Sequence, residues 1–195
     1  MNANVMPSEP SLVGYAVQFT PIGPTSDRES SLTDLPPGED YVEFYVAYGE
    51  CFAAWSGVES NLLAVYALLM NSADYGSVSA SYFSTTGFRA KLEMVDAVVE
   101  TSSRANQHDQ EKWKSLFRSA SKKSRRRNEL AHNTVFFGRL AETGTKKMFL
   151  GDPRKPSERT RLHAHDFREI RQSFTSLGEE LFSFWQHLQD RDPKA

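Results

Sequence analysis

The sequence predicts an all-α fold, a bundle of four to five helices with a small β-hairpin between the third and fourth main helices. Apolar residues recur at steps of three and four over long stretches, which is the period of a helix that buries one face. After residue 39 only two segments, 134–140 and 146–150, favour strands, and both are too short for a sheet that carries a core. Helix packing on helix is therefore the expected architecture.

The first part of the chain separates into a proline-rich lead-in and two predicted helices. Residues 1–39 hold six prolines, and we interpret them as extended or partly disordered, with one short strand at 12–20. From Asp40 a helical period continues for about 30 residues, and a second amphipathic helix follows the break at 71–77. We expect residues 40–191 to form the bundle domain.

The second part contains the third helix, the hairpin and the fourth helix. The third helix is predicted from about Asp109 to near His132. The two strand-favouring segments flank residues 142–144 and form the predicted hairpin. The fourth helix is predicted from Asp166, which with Glu169 resembles a capping box.

The first predicted helix also indicates a homodimer. At about 45 Å it carries a longer apolar stripe than three neighbouring helices are expected to cover. A second copy of the chain can bury the remainder symmetrically.

Composition and cysteine count exclude several classes of protein. The formal net charge is −2, so any attraction to nucleic acid must come from a local patch. Cys51 is the only cysteine, which excludes a disulfide framework and a thiolate zinc site and favours a reducing compartment. No secretory pattern is present, and the longest apolar run, 62–70, is shorter than the roughly 20 residues that span a bilayer. We expect a cytoplasmic protein without a membrane partner.

Residues 122–133, KKSRRRNELAHN, place permanent positive charge beside a titratable imidazole. On a helical wheel, one line holds the apolar or small residues of the third helix, and Arg127 lies roughly 40° to one side of it; the line comprises Trp113, Phe117, Ala120, Ser124 and Ala131. An arginine at the edge of a buried stripe needs an anionic partner, for which Glu59 is a candidate. Asn128 precedes His132 by one turn and can orient the imidazole.

This pattern has a catalytic and a structural interpretation. In the first, His132 is general base or acid at a ribose 2′-hydroxyl and Arg127 stabilises phosphoryl charge. Flanking phosphates are then held by the other cations, Lys122, Lys123, Arg125 and Arg126. In the second, the basic helix end complements the macrodipole and His132 is a cap beside a turn.

The arrangement Arg127-Asn128-x-x-Ala131-His132 near the end of a helix resembles the R-x4-6-H motif of the HEPN superfamily, in its common form with Asn after Arg. The long first helix and the apolar final helix are also similar to that family's bundle, over about residues 40–190.

The resemblance implies a bundle, usually dimeric, in which two motifs face each other and form a composite RNA-cleaving site. Carried over by position, Arg127 and His132 are the catalytic pair and Asn128 is the polar support, without a metal or other cofactor. Arg125 and Arg126 also have the permitted spacing, so the arginine that pairs with His132 stays open.

We therefore expect a metal-independent RNA endonuclease of the HEPN type. Many relatives are toxins or defence components, so RNA, a second copy and an antitoxin protein are the expected partners. The alternative is a catalytically inactive helical module that binds RNA or a partner protein through the same basic face. A third interpretation is a structural bundle, in which Arg127 pairs with Glu59 and His132 caps its helix.

Three other features are set aside. His163, His165 and Asp166 lie close in sequence, but the spacing of the two histidines does not place them on one helical face and no third ligand of the right type is nearby. Cys51 has no neighbouring base that favours a thiolate. His108 and His187 are interpreted as solvated residues at helix ends.

Overall fold

The computed structural model describes residues 39–139, 146–154 and 161–191, which form five helices and one two-stranded antiparallel sheet. The helices are α1 (Glu39–Met70), α2 (Tyr75–Ser84), α3 (Phe88–Thr101), α4 (Gln107–His132) and α5 (Ala164–Asp190), and the strands are β1 (Thr134–Arg139) and β2 (Lys146–Gly151). The predicted class, mostly helical with a small hairpin before the last helix, is confirmed. The expectations for the lead-in before residue 39, the strand at 12–20 and the turn at 142–144 fall outside the described residues.

One predicted helix is in fact two helices. After the break at 71–77 the sequence predicts a single amphipathic helix, but α2 ends at Ser84 and α3 follows it. Gly87 between them has a φ of +82°, a conformation that glycine adopts without a Cβ clash. Asp74 caps the start of α2, because its side chain accepts the N–H of Ser77 at 3.1 Å.

The helix caps also differ from prediction. The predicted capping box at Asp166 is wrong, because α5 begins at Ala164 and Asp166 already lies in its first turn. A reciprocal cap occurs instead at α4, which begins at Gln107. The Asn106 side chain accepts the N–H of Asp109 at 3.0 Å, and the Asp109 carboxylate accepts the N–H of Asn106 at 2.9 Å.

The chain divides into two compact units. The first takes in the described residues among 1–46 and 133–164, and the second takes in 47–132 and the described residues after 164. The motif on α4 belongs entirely to the second unit.

The first unit contains the hairpin. β1 pairs antiparallel with β2, with Phe136 opposite Phe149 and their rings stacked at 5.3 Å. Leu150 exchanges two backbone hydrogen bonds with Leu162, at 2.8 and 2.9 Å, which extends the pairing by one bridge. The hairpin is therefore held by a ring pair and by backbone hydrogen bonds on both sides of β2.

The core of the second unit is built on two tryptophans. The ring centroid of Trp55 in α1 lies 4.6 Å from that of Phe88 in α3 and 5.0 Å from that of Phe174 in α5. The ring centroids of Trp113 in α4 and Phe184 in α5 are 5.8 Å apart. Buried aliphatic residues fill the space between the helices: Val58, Leu62, Leu63, Val65, Leu92, Val95, Val99, Leu130, Leu177, Leu181 and Leu188. This packing fixes the position of α4.

α1 is long and apolar enough to cross a membrane, judged by length and composition alone. Within Tyr41–Met70, an 18-residue stretch has a mean hydropathy of 1.2, and 39% of that stretch is buried. Core helices of soluble proteins have the same length and hydropathy. Among the described residues, no other helix is as long and as apolar.

Candidate active site at the end of α4

Two of the three predicted catalytic residues are exposed at the end of α4. The helix ends at His132, as predicted. His132 and Asn128 are exposed, whereas Arg127 is half-buried. Asn128 and His132 are one turn apart, about 6 Å along the axis, and are neighbours on one face. The fold therefore presents an amide and an imidazole side by side at the surface.

The buried stripe of α4 departs from the predicted line near its C-terminal end. Phe117 is half-buried and Ala131 is exposed, while Leu130, outside the predicted line, is fully buried. The stripe shifts because a leucine gains more from burial than an alanine does. On a wheel of about 100° per residue, Arg127 lies between Ala120 and Leu130. Arg127 therefore projects from the buried face of α4 and not from its edge.

The Arg127 guanidinium has few partners. Its Nη1 lies 3.5 Å from Oδ1 of Asn128, and its Nε–H is buried without a hydrogen-bond acceptor among the described residues. The expected ion pair with Glu59 is wrong, because Glu59 accepts the indole N–H of Trp55 at 2.9 Å and pairs with Lys91 at 3.4 Å. A buried donor without an acceptor costs about 1–3 kcal/mol. An added acceptor at Arg127 is therefore favourable.

Arg127 and His132 leave α4 in different directions. They are five positions apart, so their side chains start about 140° apart around the axis. Asn128 lies between them, about 100° from Arg127 and about 40° from His132. Arg125, two turns before His132, is about 20° from its direction, so the choice of arginine stays open on helix geometry. One copy of α4 does not readily place Arg127 and His132 on one phosphate.

The predicted RNA-binding cations fall into two groups. Lys122 and Arg125 are exposed and take part in no ion pair within the described part of the chain. Lys123 donates to a backbone carbonyl of α5 at 2.8 Å, and Arg126 pairs with Glu129 at 2.6 Å. The second group therefore has partners within the protein, and the first is available to an external anion.

Sequence reasoning missed Tyr48, which holds the end of α4. Its hydroxyl donates to the backbone carbonyl of Leu130 at 2.9 Å. Its ring packs on the rings of Phe52 and Phe167, with centroid distances of 5.0 Å and 5.6 Å. Carbonyls in the last turn of a helix have no intrahelical donor, so this bond satisfies one of them two residues before His132. The helical period of α1 indicates that Tyr48 packs inward but not which group its hydroxyl meets.

A second missed cluster surrounds Asp109, whose side chain is fully buried. Its carboxylate accepts hydrogen bonds from His187 at 3.0 Å and from Arg191, both at the end of α5. The interpretation of His187 as merely solvated is therefore wrong. Burial acts to raise the pKa of Asp109, but hydrogen bonds from Asn106, Arg191 and His187 hold this pKa below its ordinary value of 3.8.

The sequence did contain a signal for part of this cluster. Asn106 followed three residues later by Asp109 is a helix-start pattern. The contribution of His187 and Arg191 depends on how α5 packs against α4.

The residues that were set aside have ordinary surroundings. His163 Nδ1 lies 3.1 Å from the carbonyl of Met148, and His165 Nε2 lies 3.3 Å from Asp166. Within the described ranges, no group of three metal-ligating side chains occurs. Cys51 is fully buried, and burial raises the pKa of its thiol to about 11.

No protein-family model matches the chain, and no match was found among the curated proteins or among the solved structures.

Proposed function

We propose that the protein is a metal-independent RNA endonuclease of the HEPN type, in which Arg127 of one copy and His132 of a second copy act on the same phosphodiester. The observation that carries the proposal is the Nε–H of Arg127, which has no acceptor among the described residues although it is buried. Turning this side chain toward an anionic oxygen supplies the missing acceptor. The exposed imidazole at the end of the same helix supplies the proton transfer.

The proposed chemistry requires no metal. One His132 takes the proton of a ribose 2′-hydroxyl, and the 2′-oxygen forms a bond to phosphorus. The bond from phosphorus to the 5′-oxygen breaks, and that oxygen takes a proton from the solvent, to which the imidazolium returns the proton that it accepted. The products are a 2′,3′-cyclic phosphate and a 5′-hydroxyl. Arg127 stabilises the charge on the non-bridging oxygens, and Asn128 orients the imidazole one turn away.

A homodimer fits both the geometry of α4 and the surface of α1. Arg127 and His132 diverge by about 140° on one helix, so two copies bring them to a shared phosphate more readily than one copy does. In the first unit, α1 exposes Val42 by 59% and Val46 by 53%, and these apolar side chains are suited to burial by a partner. A symmetric dimer brings both copies of the motif into one assembly.

The cellular role belongs to the same proposal. We propose that the protein is a cytoplasmic toxin or defence component, with an antitoxin protein as a candidate partner. This assignment is supported by the resemblance of the motif and by the composition.

The experiment incubates the purified protein with labelled single-stranded RNA in a buffer that contains EDTA. We expect wild type to cleave, and His132→Ala to cleave at least about 100-fold more slowly. His108→Ala is the matched control, since His108 is an exposed histidine in the first turn of the same helix. It should cleave like wild type. Equal cleavage by wild type and by His132→Ala contradicts the proposal.

The second candidate function is a catalytically inactive module that binds RNA or a partner protein through the same basic face. The exposure of Lys122 and Arg125, without ion pairs in the described part of the chain, favours it. It predicts RNA binding that weakens with salt, no cleavage in the same assay, and binding that is unchanged in His132→Ala.

A further inference from the structure

α4 concentrates positive charge on its exposed face. Between residues 112 and 128 it contains eight Lys or Arg and no Asp or Glu. Five of these cations are exposed. Four of the five lie on one side of the helix and form what is called below the α4 ridge, namely Lys114, Arg118, Lys122 and Arg125. Lys114 and Arg118 extend the basic surface well beyond the cations that the sequence pattern singles out.

The α4 ridge is a straight row that leads to His132. On a wheel of about 100° per residue its four members lie within about 80° of one another, opposite Ala120, and His132 shares their sector. Successive members are about 6, 6 and 4.5 Å apart along the axis, and Lys114 is about 27 Å from His132. The spacing is that of a track and not of a compact cluster.

Neighbouring cations of the ridge repel one another in the isolated protein. Lys114 with Arg118, and Arg118 with Lys122, are like-charge pairs four residues apart, which destabilise a helix. Across the described ranges no member takes part in an ion pair. Glu129, which shares the ridge side of the wheel, pairs with Arg126 at 2.6 Å. A linear polyanion along the ridge relieves the repulsion.

We propose that the α4 ridge binds the phosphates of a single-stranded RNA segment that leads from His132 toward the start of α4. This inference rests on the proposed function, because it assigns the path of the substrate away from the cleavage point. At a stacked rise of about 3.4 Å per nucleotide, the distance of about 27 Å from Lys114 to His132 accommodates about eight nucleotides.

A single strand fits the ridge better than a duplex does. The major groove of A-form RNA is deep and narrow, so the convex surface of a helix does not enter it. A single strand can follow one row of cations along its whole length. The contacts are to phosphates, so the ridge provides affinity and direction but little sequence preference.

The test measures binding by His132→Ala protein, so that cleavage does not interfere. Fluorescence anisotropy is recorded for labelled oligouridylates of about four, eight and twelve nucleotides over a range of salt concentrations. We expect affinity to rise up to about eight nucleotides, with a salt slope near −2.8 for four phosphate contacts at about 0.7 per contact.

Two double variants with equal charge change locate the contacts. Lys114→Gln with Arg118→Gln removes half of the ridge and should reduce the magnitude of the slope by about 1.4 and remove the gain from longer oligonucleotides. Lys112→Gln with Arg89→Gln removes two exposed cations away from the ridge and should change neither. Circular dichroism confirms that both variants are folded.

The outcomes separate this inference from the proposed function. Equal loss of binding in both double variants overturns the ridge, and so does binding of duplex RNA as tight as that of single strands. Binding to anionic vesicles that depends on Lys114 and Arg118, without binding to RNA, overturns it as well.

If wild type does not cleave but the ridge binds as expected, only the proposed function fails. If wild type cleaves and the ridge variant binds like the control, only the ridge fails.

Discussion

Tyr48 donates its hydroxyl hydrogen to the backbone carbonyl of Leu130 at 2.9 Å, across 82 positions of sequence. The bond joins α1 to the last turn of α4, two residues before His132. The ring of Tyr48 is held independently by Phe52 and Phe167. The hydroxyl therefore ties the end of the candidate site to a side chain whose position the core already fixes.

Tyr48→Phe keeps the ring and removes the hydroxyl that donates this hydrogen bond. We expect the free energy of unfolding to fall by about 0.5–1.5 kcal/mol. RNA cleavage should slow while RNA affinity stays unchanged, because the turn that carries His132 loses its anchor. Urea titration and the cleavage assay measure these effects. Tyr75→Phe, at a tyrosine that is 59% exposed, is the control and should alter neither. An unchanged stability of Tyr48→Phe means that the bond contributes nothing.

Arg127→Met separates stability from activity. Methionine fills a similar volume and removes the buried Nε–H that has no acceptor in the described part of the chain. Since an apolar replacement removes an unsatisfied donor, we expect an unfolding free energy equal to or above that of wild type. Cleavage should fall about 100- to 1,000-fold, the usual effect of losing a donor to transition-state charge.

Arg126→Met is the matched control for that experiment, since Arg126 is a neighbouring arginine that pairs with Glu129 at the surface. It should alter stability by less than about 1 kcal/mol and leave most of the activity. A loss of more than about 2 kcal/mol in Arg127→Met indicates instead that Arg127 has a structural role.

Asp109→Ala removes a carboxylate that accepts three hydrogen bonds, one from a backbone N–H and two from side chains. The variant loses the reciprocal cap with Asn106 and the hydrogen bonds from His187 and Arg191. We expect a loss of about 1–3 kcal/mol in chemical unfolding. Asp190→Ala, at an exposed aspartate in the last turn of α5, should change stability by less than about 0.5 kcal/mol.

The same carboxylate gives the protein a stability that depends on pH. The pKa of Asp109 in the folded protein is below its ordinary value of 3.8. Its stabilisation is therefore fully present above the ordinary pKa and is lost as the pH falls through the folded-state pKa. Between about pH 5 and pH 2, wild type should lose stability more steeply than Asp109→Asn. Parallel curves for the two proteins contradict this assignment.

Cys51 should be unreactive in the folded protein. Its thiol is fully buried, donates to the carbonyls of Phe167 at 3.2 Å and Ala47 at 3.3 Å, and has its pKa raised to about 11 by burial. Since the thiolate is the reactive form, a thiol reagent near neutral pH should label native protein far more slowly than protein unfolded in urea. Equal labelling rates indicate that α1 opens readily at this position.

The sequence predicts the helical class, the hairpin and the end of α4 at His132, because each depends on local period and turn residues. It does not reveal the break between α2 and α3, since the apolar period continues across Gly87. The sequence also does not predict the hydrogen-bond and ion-pair partners of Tyr48, Asp109 and Glu59. Each of these partners depends on how helices pack, and periodicity states only which face is buried.

The candidate site divides in the same way. The motif places Arg127 and His132 at the end of α4, but whether Arg127 has an acceptor depends on Glu59, and the structure pairs Glu59 with Lys91. The separation of Lys122 and Arg125 from the cations that have partners within the protein likewise emerges only from the packed helices.

The central claim is that Arg127 of one copy works with His132 of the other. Arg127→Met and His132→Ala chains, each inactive alone, are coexpressed with different tags, and the mixed dimer is purified through both tags. One of its two composite sites then holds an intact Arg127 and an intact His132. We predict about half of the wild-type cleavage rate for the mixed dimer. A mixed dimer as inactive as either parent contradicts the shared site.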